Sequence, residues 1–152
     1  MLIRPAEPAD YARVIPVVDE WWGGRPMAAM LPKLFFVHFR DTSFVADDDG
    51  ALAGFLCGFR SQTFDDEAYI HFVGVDPGER GLGLGRRLYE VFFDAVSARG
   101  RTMVRAVTAP VNTGSIAFHR RMGFEVEGGD VAVAAGYDGP GQDRVRFTRY
   151  LR

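Results

Sequence analysis

Residues 73–87 read Val-Gly-Val-Asp-Pro-Gly-Glu-Arg-Gly-Leu-Gly-Leu-Gly-Arg-Arg, and no other stretch constrains the fold as much. A strand from Ala68 to Val75 stops at Asp76-Pro77-Gly78, glycine recurs at 81, 83 and 85, and an apolar pattern with helical spacing follows. A strand–turn–helix of this kind needs left-handed backbone in its turn, which glycine adopts without steric cost. The same glycines leave successive backbone N–H groups uncovered at a helix N-terminus, whose partial positive charge suits phosphate oxygens. Arg86 and Arg87 in the first helical turn oppose the helix dipole unless an anion is present to accept them. The segment reads as a pyrophosphate cradle. An ordinary tight turn flanked by two solvated arginines is the other reading of a bare glycine cluster.

Two phosphate motifs do not fit. Counted from Gly81 or Gly83, the third glycine of G-x-G-x-x-G is missing, and about twenty residues further on stands Arg105 where the dinucleotide fold places an acid. A Walker loop needs Gly-Lys-Ser/Thr, and Lys33 is the only lysine in the chain. Composition removes further classes. Eighteen Lys and Arg against twenty Asp and Glu give a net charge of -2, and no basic stripe interleaves with aromatics, so no nucleic-acid partner is expected. With one cysteine, Cys57, an internal disulfide is ruled out; His38, His71 and His119 lie far apart in sequence, so no metal is expected either. No stretch approaches the ~18 apolar residues of a membrane span, and Arg4, Glu7 and Asp10 interrupt the N-terminus where a signal would be apolar. We therefore expect a cytoplasmic protein with no membrane partner, one domain over residues 1–152.

The remaining chain reads as short elements. Residues 2–4 are a strand, Pro8-Ala9-Asp10 opens a helix that Pro16 weakens, and 27–39 is a second helix with Pro32 in its first turns. Residues 43–46 and 51–60 flank Asp47-Asp48-Asp49-Gly50 as a β-hairpin. Strands follow at 68–75, 102–107, 124–127 and 144–150, with helices from 84 to about 98 and at 113–122. The glycine-dense 128–141 is a loop or a weakly paired strand. Cys57, between Phe55, Leu56 and Phe59, is a core residue. The order βααβββαβαββ indicates an α+β fold with a mixed sheet.

Two ordered motifs resemble the GNAT (GCN5-related) N-acetyltransferase superfamily. Arg80-Gly81-Leu82-Gly83-Leu84-Gly85 is similar to its R/Q-x-x-G-x-G/A acyl-CoA loop, directly after a strand ending Val75-Asp76-Pro77. The segment running from Asn112 through Thr113, Ser115, Phe118 and His119 to Gly123-Phe124 is similar to its second motif. Residues 11–40 and 128–143 carry no family signature. The resemblance implies a GNAT-like, mostly antiparallel central sheet flanked by helices. It implies transfer of an acetyl group from acetyl-CoA, as co-substrate, to a primary amine of a small molecule or exposed peptide by direct attack in a ternary complex. A homodimer would fit the family. A non-catalytic acyl-CoA-binding or regulatory module of the same fold is the alternative.

By that resemblance the pyrophosphate meets Arg80, Gly81 and the backbone of Leu82, Gly83, Leu84, Gly85 and Arg86. The pantetheine arm runs beside Val73 and Val75, Asn112 and Ser115 touch it from the other side, and a backbone N–H near Val75 polarises the thioester carbonyl. Strand alternation puts His71, Val73 and Val75 on one face. His71, four residues before Val75, stands where arylalkylamine acetyltransferases place a base-relay histidine, or is a half-buried strand histidine; Tyr69 and Glu67 are substitutes for the base. His119 takes the place of the family's general-acid tyrosine and lies on the inward stripe of its helix, as acid toward the thiolate or as a packing residue. Trp21 and Trp22 are acceptor-pocket walls or core and dimer anchors. Asp65-Asp66-Glu67 would draw a cationic amine, whereas Arg25 would favour a carboxylate-bearing acceptor.

Overall fold

The computed structural model describes residues 1–128 and 133–151. Among them, seven strands form one sheet in the order β1-β2-β3-β4-β5-β7-β6. These are β1 (Leu2–Pro5), β2 (Phe44–Asp48), β3 (Ala51–Arg60), β4 (Glu67–Val75), β5 (Met103–Thr108), β6 (Glu125–Val126) and β7 (Val145–Tyr150). Strands β4 and β5 run parallel and every other pair is antiparallel, the mixed α+β arrangement expected above. Helices α1 (Tyr11–Trp21) and α2 (Leu34–His38) pack on one face through Val14, Val18 and Phe36. Helix α3 (Leu84–Ser97) buries Leu84, Leu88, Phe92 and Val96 on the other, with α4 (Thr113–Arg121) beside it. No helix among the described residues is long and apolar enough to cross a membrane.

Local chemistry explains most of the element ends. The β2–β3 hairpin closes on Asp49 (φ 55°) and Gly50 (φ 92°), two left-handed residues as a type I′ turn requires, with the Asp47 carboxylate accepting from Gly50 N–H at 2.8 Å. Helix α1 carries Pro16 through its middle. Its buried stripe of Val14, Val18 and Trp21 offsets the one backbone bond that proline forfeits. The continuous helix expected over 27–39 is not formed. Pro32 disfavours helical backbone at Leu31, which is extended (φ -114°, ψ 93°), so a 3-10 turn at Ala28–Met30 and the single short helix α2 replace it. Of the glycine-dense 128–141, residues 129–132 lie outside the described residues, and Ala134 pairs with Arg144 in an isolated bridge.

The feature that positions the site is a parting of strands. Strand β4 pairs with β5 only through Glu67↔Met103, Ala68↔Val104 and Tyr69↔Arg105. From Ile70 onward β4 stays with β3 while β5 stays with β7, so the two parallel strands open like a V toward the glycine turn.

Candidate active site

At the end of β4, Gly81 (φ 81°) and Gly83 (φ 82°) both take left-handed backbone, and Gly83 is the N-cap of α3. The first hydrogen bond back to this turn runs from Arg87 N–H to the Gly83 carbonyl at 3.1 Å. Backbone N–H groups of residues 81–86 therefore have no partner among the described residues. A Cβ added to Gly81 or Gly83 would meet nothing within 4 Å, so the space before these donors is open. Exposed Arg86 and Arg87 flank it. A run of uncovered donors at a helix N-terminus beside two guanidiniums fits the acceptor-only, anionic oxygens of a pyrophosphate. Arg80 points elsewhere: its Nη2 donates to the Trp21 carbonyl at 2.5 Å and its Nε to the Val75 carbonyl at 3.3 Å. It ties the glycine turn to the end of α1.

Strand alternation fails at His71. Cys57 pairs with Phe72 and Gly58 with Ile70, leaving His71 as the extra residue of a β-bulge. The bulge turns His71 toward α2 while Val73 and Val75 pack toward α3, so the three side chains do not share a face as expected from period two. The imidazole of His71 stacks on Phe35 with centroids 4.9 Å apart, and its Nε2–H donates to the Met30 carbonyl at 2.7 Å. A carbonyl only accepts, so Nε2 carries a proton, and Nδ1 has no hydrogen-bond partner among the described residues. Tyr69 lies on the same face, against Phe59, and burial pushes its phenol well above the usual tyrosine range.

Asn112 caps α4, its Oδ1 accepting from Ser115 N–H at 3.2 Å. His119 lies deeper than the expected cofactor-facing position. It is 6% exposed and stacked on Phe147 at 4.3 Å. Its Nδ1–H donates to the Ser115 carbonyl at 2.8 Å, and its Nε2 accepts from the Tyr89 hydroxyl at 2.8 Å. Burial lowers its pKa to about 4, against the opposing pull of the Ser115 carbonyl, so the ring is neutral at ordinary pH. The same enclosure drives the Tyr89 phenol upward. The stripe of α4 that carries His119 faces the aromatic core.

On the α2 side of the parting, a cavity of about 450 Å³ opens over β4, β5 and β7. Glu67 and Tyr69 both line it, but Glu67 is not free to draw a cation, because Arg105 Nε binds its Oε1 at 2.6 Å. Arg105 also donates through Nη1 to Glu127 Oε1 at 2.5 Å and to Thr148 Oγ1 at 3.0 Å. Burial disfavours the Arg105 charge, yet its bonds to Glu127 and Glu67 outweigh this and hold its pKa above the usual value. Arg105, Glu127, Arg146 and Tyr137 were not identified from the sequence. One signal was present: an arginine in the apolar strand Met103-Val104-Arg105-Ala106-Val107 demands a charged partner. Trp21 is buried and Trp22 lies on Phe72 at 4.7 Å, so both pack at the end of α1, while Arg25 is exposed. Cys57 is buried in the core, which raises its thiol pKa.

Two parallel strands of a mixed sheet thus part beside a donor-lined glycine turn. The acetyltransferase (GNAT) family model matches residues 8–124, and the chain belongs to that family. It is 35% identical over 79 residues, 52% of this chain and 41% of the relative, to an L-2,4-diaminobutyric acid acetyltransferase from Nocardia farcinica. Among solved structures it resembles Ard1 from Thermoplasma volcanium, with TM-score 0.81 and 22% identity over 99% of this chain and 97% of the other. It also resembles a diaminobutyrate acetyltransferase from Paenibacillus lautus in complex with its substrate and coenzyme A, with TM-score 0.73 and 19% identity over 97% and 92% of the two chains. The matches span about half the length of the curated relatives.

Proposed function

We propose that this chain is an N-acetyltransferase that moves an acetyl group from acetyl-CoA to a primary amine of a small molecule or exposed peptide, by direct attack in a ternary complex. The observation that carries the reading is the run of uncovered N–H groups over residues 81–86 beside the parting of β4 and β5. Acetyl-CoA supplies a thioester whose carbonyl carbon is open to attack by an amine. The backbone of residues 82–86 holds the pyrophosphate, with Gly81 shaping the turn. The free edge of β4 at Val73 and Val75 lies along the pantetheine arm, and a backbone N–H near Val75 polarises the carbonyl. Asn112 and Ser115 border the arm from α4.

His71 presents its Nδ1 lone pair on the acceptor face and takes the ammonium proton, directly or through a water. Glu67, bound by Arg105, and Tyr69, with its raised pKa, suit that task less. His119 serves as a packing residue, and water returns the proton to a thiolate whose pKa lies near ~8.5. The diaminobutyrate acetyltransferases among the relatives favour a small polar amine over a protein acceptor.

A panel of primary amines assayed by CoA release tests turnover, and separates this reading from a non-catalytic acyl-CoA-binding module. Acetyl-CoA should also raise the melting temperature of the protein. Gly83→Asp should abolish that rise by placing a negative charge before the uncovered donors. Because any side chain is strained at this backbone angle, by about 1–2 kcal/mol, Gly83→Ala serves as the uncharged control and should retain part of the rise. Binding by Gly83→Asp equal to that of the Ala variant would move the cradle elsewhere.

A further inference from the structure

Building on the transferase reading, the geometry points to an acceptor amine that carries a carboxylate, received in the cavity over β4, β5 and β7 by Arg146 with Arg105 beside it. The sheet register places these groups. Tyr69, Arg105 and Thr148 stand in one row across β4, β5 and β7, and Val107 pairs with Arg146 two residues further along β5. Arg146 is therefore level with the point where β4 has already left β5. An acceptor anchored there directs its other end toward the opening where the thioester would lie.

Four charged side chains alternate in sign along this face: Glu67, Arg105, Glu127 and Arg146. Each oxygen of Glu127 meets one guanidinium, Oε1 at Arg105 Nη1 (2.5 Å) and Oε2 at Arg146 Nε (3.1 Å). Arg105 spends Nε and Nη1 on Glu67, Glu127 and Thr148, which leaves Nη2. Arg146 spends only Nε and lies over the Tyr137 ring at 5.7 Å, so both its Nη groups have no hydrogen-bond partner among the described residues. Of the two carboxylates among these four groups, the one oxygen without a partner among the described residues is Glu67 Oε2. Unspent guanidinium donors thus outnumber unspent carboxylate acceptors, while the four charges sum to zero. Such a cavity takes an anion without meeting net repulsion, and the paired Nη groups of an arginine match the two oxygens of a carboxylate. The ion pair with Glu127 and the Tyr137 ring, 5.7 Å from the guanidinium carbon, orient Arg146 toward the cavity.

The test uses pairs of acceptors that differ only in charge at the far end: β-alanine, 4-aminobutyrate and lysine, each against its carboxamide. CoA release by the full chain should give kcat/KM at least tenfold higher for the acid than for the amide in the best pair. In Arg146→Gln that ratio should fall to near one, chiefly through a higher KM for the acid, and Arg146→Lys should restore it in part. The acetyl-CoA-induced rise in melting temperature shows that the variants are folded and cofactor-competent. Equal turnover of acid and amide by the parent, or a ratio unchanged in Arg146→Gln, overturns the carboxylate assignment and leaves the transferase reading standing. CoA release with no amine of any pair or of the wider panel overturns the transferase reading, and this inference with it.

Discussion

Mild acid should destabilise this protein through His119. The imidazole is 6% exposed and enclosed by the rings of Tyr89, Phe118, Phe124 and Phe147. A second proton would break the bond that Nε2 accepts from Tyr89 and put a charge into that shell. Its folded pKa, lowered by burial to about 4, lies below the ordinary ~6.5 of an unfolded chain. Between those values the unfolded state binds the extra proton and the folded state does not. The contribution of a neutral His119 is thus fully present above the unfolded value and is lost as pH falls through the folded one. Linkage makes the loss about 2 kcal/mol at pH ~5 and about 3 kcal/mol at pH ~4. Urea unfolding of the parent and of His119→Gln, at pH ~7.5 and pH ~5, isolates the term. Glutamine keeps a donor for the Ser115 carbonyl and an acceptor for Tyr89, while surface carboxylates contribute alike to both proteins. The parent should lose about 2 kcal/mol more than the variant over that interval. Equal losses would refute a buried neutral imidazole and return His119 to the candidates for proton donor.

His71→Ala should lower kcat at neutral pH by roughly a hundred- to ten-thousand-fold with the KM for acetyl-CoA nearly unchanged, as steady-state CoA release will measure; unchanged kcat would pass the base role to solvent. Gly58→Ala should destabilise the fold by about 1–3 kcal/mol in urea unfolding, because its Cβ would stand 2.6 Å from Phe92 Cε2 and 2.7 Å from the Tyr69 carbonyl oxygen. Parent-like stability would mean that α3 rides further from the sheet.

The sequence alone determined whatever depends on neighbours in the chain. The glycines at 81 and 83, the Asp49-Gly50 hairpin turn and the apolar spacing of α3 are short-range signals, and each element forms where they indicate. The element order and the glycine turn were legible for this reason, and so was the family resemblance they carry. Pro32 was just as local, and breaking the helix there follows from its effect on Leu31. What only the tertiary structure decided concerns partners distant in sequence. His71 leaves the alternation because β3 supplies one residue fewer than β4 at that point, and a mismatch between two strands is invisible in either one. A helical projection set His119 inward, but Tyr89 of α3 and Phe147 of β7 made that interior a dry aromatic shell. Arg105, Glu127 and Arg146 come from three separate segments and meet only because β7 inserts between β5 and β6. Turns and helix caps are governed by the backbone energetics of a few consecutive residues, whereas the direction a side chain faces and the charge it meets depend on which strands pair.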